Sequence, residues 1–122
     1  MRYMMIVFET DADMDAMNVR DGVHDPLGPA WRAYLKALTD AGVYVSGHAL
    51  FPSTTATTVR LENGVRRVQD GPFADSREQL GGFIVLEAGS LEAALEWAVR
   101  CPAATYGTIE LRAVVAEPPA TP

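Results

Sequence analysis

Trp31, Tyr34, Leu35 and Leu38 recur at i, i+3, i+4 and i+7, while Arg32, Lys36 and Asp40 fall on the opposite side. With Pro29 able to open a helix and Gly42 able to close it, this segment predicts a helix with a single apolar stripe. Leu91, Ala94, Leu95 and Ala98 repeat the spacing after Ser90, a favourable N-cap, and Pro102 ends this second helix. Around the helices lie strand-like runs at 2–9, 43–50, 55–70 (a hairpin), 83–87 and 108–115. The first is so nearly continuous in apolar residues that it predicts a central strand buried on both faces. The order is β-α-β-(hairpin)-β-α-β. Two helices with one stripe each must share one face of an antiparallel sheet, an α+β architecture. The other sheet face then lacks cover within one chain, and a symmetric homodimer is the simplest way to supply it.

Bulk properties narrow the function classes. The 122 residues fit a single domain, expected over 1–116, with a proline-rich tail at 117–122 expected to lack structure. A formal charge of −6 argues against direct nucleic-acid binding and against attraction to an anionic membrane. No apolar run is long enough to span a bilayer, and 3–8 is too short for a signal core, so a cytoplasmic location is expected. Cys101 is the lone cysteine, which excludes an intrachain disulfide; it is expected buried and inert. Asp11, Asp13 and Asp15 alternate as in a calcium loop, but Ala16 and Gly22 stand where that loop needs glycine and glutamate. An acidic loop or frayed helix is expected instead. His24 and its neighbouring aspartates do not complete a zinc ligand set, so neither a metal nor a cofactor is expected.

Asn63-Gly64 is a strong hairpin turn signal. A two-residue loop there pairs Val59 with Val68 and Arg60 with Arg67. Like charges opposed across a ladder repel, so an acid or an anion is expected beside these arginines. Asp70-Gly71-Pro72 reads as a tight reversal locked by the aspartate. Ser76 to Leu80 reads as one helical turn stopped by Gly81-Gly82.

Asp70-Gly71-Pro72-Phe73, followed by Glu78-Gln79-Leu80-Gly81-Gly82-Phe83, resembles the DGPF branch of the YCII-related family. The likeness includes Arg2-Tyr3-Met4-Met5, Thr57-Thr58-Val59-Arg60, Leu95-Glu96-Trp97-Ala98 and Cys101-Pro102-Ala103-Ala104. It implies a ferredoxin-like domain that pairs into a dimeric α/β barrel. Some relatives carry a histidine in the first helix paired with an aspartate as an acid–base dyad. Here the helix at 30–41 has no histidine.

Two function classes follow. The first is a cofactor-free lyase or isomerase acting on a small metabolite in a cleft near 70–78. His48 would shuttle the proton, Asp70 or Glu78 would orient it, and Arg60 would anchor an anionic group. Trp31, Tyr34 and Phe73 are the aromatic candidates for contacting the ligand. The second is a non-catalytic module binding a ligand or protein, which the resemblance links to sigma-factor-dependent transcription.

Overall fold

A computed structural model describes residues 1–17 and 28–116. The His24 loop and the tail therefore lie outside the described residues. The described elements are β1 (Arg2–Thr10), α1 (Asp11–Met17), α2 (Gly28–Asp40), β2 (Tyr44–Ala49), β3 (Thr57–Glu62), β4 (Val65–Asp70), β5 (Glu78–Glu87), α3 (Leu91–Arg100) and β6 (Thr108–Ala113). Short 3-10 turns occupy Ser53–Thr55 and Pro102–Thr105.

The main sheet has the strand order β2-β5-β1-β6, and each of its neighbouring pairs is antiparallel. This mixed α+β arrangement is compatible with a ferredoxin-like fold. Along β1 the side chains alternate between buried and half-buried. Tyr3, Met5 and Val7 enter the core with Ile84 and Leu86 of β5; Trp31, Tyr34 and Leu38 of α2 and Ala94 and Ala98 of α3 pack against them. Met4, Ile6 and Phe8 stay only half-buried on the other face. The expectation of a strand buried on both sides is thus corrected: among the described residues of one chain, helices cover one face and leave the other half-buried.

The local signals explain the helix ends. Gly42 (φ 71°) closes α2, with its N–H bonded to Thr39 O at 3.0 Å and the Val43 N–H bonded to Leu38 O at 3.1 Å. That is a Schellman ending, which uses carbonyls the helix would otherwise leave unpaired. Ser90 Oγ accepts the Ala93 N–H at 3.2 Å and caps α3. Toward the end of α3, Arg100 lies 4.3 Å over the Trp97 ring. The acidic segment after β1 is a helix, begun by Thr10 Oγ1 accepting the Asp13 N–H at 3.1 Å. Asp11 in its first turn takes both the N–H and the hydroxyl of Ser53, at 3.0 and 2.7 Å. Carboxylates near a helix N-terminus are favoured there by the helix dipole.

The hairpin has the register read from its turn: Val59 faces Val68, Arg60 faces Arg67, and Asn63 and Gly64 both have positive φ. The acid expected beside the arginines is Glu62, 3.5 Å from Arg67. β3 and β4 form a separate two-stranded sheet, leaving Val59 64% and Leu61 75% exposed.

Three local readings around the corner require correction. The reversal at Gly71 (φ 98°) is real, but among the described residues no hydrogen bond to the Asp70 carboxylate locks it. It is held by Gly71 N–H to Ala56 O at 2.7 Å and by Thr58 Oγ1 to Gly71 O at 2.7 Å. Ser76 to Leu80 is not a helical turn, because β5 begins at Glu78. Buried Gln79 ties this loop to the sheet through Nε2, which donates to Ala74 O at 2.6 Å and Ser76 O at 2.9 Å. Gly81 and Gly82 consequently lie inside β5, at a bulge opposite Val7 and Phe8, where strand pairing overrides the local stop signal.

Candidate functional site

The alternation that sends Tyr3, Met5 and Val7 into the core sends Glu9 after them, and its side chain is only 7% exposed. Glu9 Oε1 accepts a hydrogen bond from Tyr106 Oη at 3.0 Å. Trp31 Nε1 donates to the same Tyr106 oxygen at 3.4 Å. An indole N–H can only donate, so the relay runs in one direction, from Trp31 through Tyr106 to Glu9. Glu9 Oε2 lies against Gly81, where an added methyl would collide with it, and has no hydrogen bond among the described residues.

Glu9 and Gly81 both line a recess of about 120 Å³ between the α1 and α2 helices and strands β1, β5 and β2. Val7, Trp31, Leu35, Tyr44 and Ile84 supply most of its apolar wall. Gly47, Gly81 and Gly82 keep one side free of bulk. A Cβ at Gly82 would sit 2.6 Å from His48 O, so glycine there permits the close approach of β2 to β5.

Burial pushes the Glu9 carboxyl above its ordinary pKa of 4.5; the Tyr106 hydrogen bond opposes this, and Asp13 adds to it. Tyr106 is also raised, chiefly by burial. Burial pushes the Cys101 thiol up to about 11, in keeping with an inert core cysteine.

The raised Glu9 pKa gives stability a definite pH dependence. Below the unfolded carboxylate value both states hold the proton, and Glu9 costs the fold nothing. As pH rises through the higher folded value, the fold loses stability, because the unfolded chain ionises more readily. Glu9→Gln, which cannot ionise, should therefore be more stable than wild type at neutral pH. The advantage should vanish at about pH 4. Urea unfolding at both pH values measures it, and an equal difference at both would contradict the assignment.

The residues expected from the sequence divide among separate places. Trp31 lines the Glu9 recess. Tyr34 does not: its Oη donates to Trp97 O at 2.7 Å within the core. His48 borders the recess through β2, but it pairs with Phe83 across the ladder, and the two rings lie 5.8 Å apart. Strand alternation puts that ring on the opposite sheet face from Glu9. Asp70 belongs to the separate hairpin sheet. Glu78 pairs with Thr10 and accepts from Thr108 Oγ1 at 3.4 Å. Among the described residues no hydrogen bond or ion pair joins His48 to Asp70 or Glu78. Arg60 and Phe73 do meet, with the guanidinium 5.8 Å over the ring, and they line a polar recess of about 220 Å³ on the hairpin. Glu9 was absent from the expected set, although a two-residue alternation from Tyr3 points to it.

A carboxyl held in an apolar recess beneath helices, on one face of an antiparallel sheet, defines an α+β domain with an internal acid site. The chain belongs to the YCII-related domain family, whose model matches residues 1–117. It is also similar to an uncharacterized protein of Rhizobium meliloti (strain 1021), 47% identical over 49 residues. That match covers 40% of this chain and 40% of the relative's length.

Proposed function

We propose that this chain binds a small, mainly apolar metabolite in the Glu9 recess and exchanges a proton with it, in a cofactor-free acid–base reaction of the lyase or isomerase type. One observation carries the reading: a carboxyl only 7% exposed, with no hydrogen bond to its Oε2 among the described residues, lines an apolar recess. A group whose pKa is raised by desolvation is suited to give and take a proton nearer neutrality than an ordinary carboxylate. Glu9 thereby takes the role that the residue types alone suggested for His48 with Asp70 or Glu78.

A thermal-shift and turnover screen of small metabolites on wild type, Glu9→Gln and His48→Ala tests the assignment. The expected result is a stabilising compound that is turned over by wild type and His48→Ala and is bound without turnover by Glu9→Gln. Activity lost in His48→Ala but kept in Glu9→Gln would return the chemistry to the histidine. A stabilising compound left unchanged by all three proteins favours a non-catalytic binding module.

A homodimer accompanies this reading. Its support is the half-buried row Met4, Ile6 and Phe8 and the exposed apolar hairpin, since a lone two-stranded hairpin is marginal in water. The sigma-factor link rests on family resemblance alone.

A further inference from the structure

Resting on the small-molecule reading of the Glu9 recess, the geometry points to its ligand class: we propose an uncharged, ring-sized hydroxy compound of phenolic type, its hydroxyl on Glu9 Oε2 and its ring against Trp31 and Tyr44. Size comes first. A recess of about 120 Å³ is close to the dry cavity of roughly 150 Å³ that accepts benzene in an engineered protein. One six-membered ring fits, and a nucleotide or a sugar phosphate does not.

Charge comes second. Among the described residues no lysine or arginine lines the recess, and its buried acid is Glu9. An anionic ligand would meet a carboxyl with no cation among the described residues to compensate it, and a cationic one would itself have to leave water for a largely apolar recess; a low-dielectric site penalises both. Direction comes third. Tyr106 donates to Oε1, leaving Oε2 as the oxygen that faces the ligand. An ionised Oε2 accepts a hydroxyl proton, and a protonated one donates to the hydroxyl oxygen. A phenolic hydroxyl serves as either partner, so recognition survives both protonation states of Glu9.

The test is an NMR titration of the ¹⁵N-labelled chain with phenol, benzene, benzoate and benzylammonium, following the Gly81 and Gly82 amides and the Trp31 indole N–H. Phenol should shift all three signals to saturation, at least about tenfold more tightly than benzene, the yield of one good buried hydrogen bond. Benzoate should bind at least about tenfold more weakly than phenol. Glu9→Leu should bring phenol and benzene to equal affinity. Gly81→Ala, whose methyl displaces the carboxyl and meets Met14 Sδ only at an ordinary 3.4 Å, should do the same and serves if the leucine variant does not fold. Benzoate or benzylammonium matching phenol, benzene matching phenol in wild type, or a phenol preference that persists in both variants would each overturn the ligand class while leaving a binding recess in place. Silence from all four probes would overturn both the ligand class and the recess as a binding site.

Discussion

Trp31→Ala should lower stability by about 3–5 kcal/mol, the usual cost of deleting a large buried aromatic. Trp31 is 8% exposed, packs edge-on to Tyr34 with ring centroids 6.0 Å apart, and donates its indole proton to Tyr106. Three contributions are lost together: apolar burial, a cavity wall and the first donor of the relay that orients Glu9. For a chain of this size each kcal/mol corresponds to roughly 3–5 °C in Tm, so calorimetry should show a drop of about 10 °C or more. Trp31→Phe should recover most of the packing and none of the indole hydrogen bond. Equal Tm values for Trp31→Ala and wild type would mean that the helix is not seated on this part of the sheet.

Gly82→Val is expected to cost about 1–3 kcal/mol, near the upper end because the obstructing groups are backbone. A Cβ there would stand 2.6 Å from His48 O and 3.2 Å from Ala49 Cα, so β2 would have to move away from β5. Gly81→Ala supplies the contrast. Its added methyl meets the end of the Glu9 side chain, which can swing aside, so stability should change by less than about 1 kcal/mol. The carboxyl would nonetheless leave its place beside the recess. Chemical denaturation of both variants, together with phenol titration of Gly81→Ala, separates a position needed for folding from one needed for the site. Equal destabilisation by the two substitutions would contradict the geometry.

Much of the architecture was legible from local spacing. The helix stripe at Trp31 to Leu38 faces the sheet as expected, but the one at Leu91 to Ala98 does so only in part: Ala94 and Ala98 enter the core, whereas Leu91 and Leu95 are exposed and Ala93 and Trp97 pack in their place. Asn63-Gly64 fixed the hairpin register because a two-residue turn leaves little freedom in pairing. The site was harder to see. Glu9 closes a run that looks uniformly apolar, and its burial becomes visible only when period-two alternation is extended past Val7. Gly81-Gly82 is locally a good helix stop; its function depends on Glu9 and His48, which are distant in sequence. The Asp-Gly-Pro corner drew attention through its turn chemistry, yet it shapes a hairpin lying in a different sheet from Glu9. Tyr106 carried no sequence signal, since its partners, Glu9 and Trp31, are 97 and 75 residues away.

The most direct measurement is a ¹³C NMR titration of the Glu9 side-chain carboxyl in wild type and in Tyr106→Phe. A desolvated acid facing an apolar hollow should titrate clearly above the solvent-exposed glutamates of the same chain, and higher still once the tyrosine donor is removed. A midpoint level with those glutamates, and indifferent to the loss of Tyr106, would show that water reaches Glu9 freely and that the hollow beside it is no ligand site.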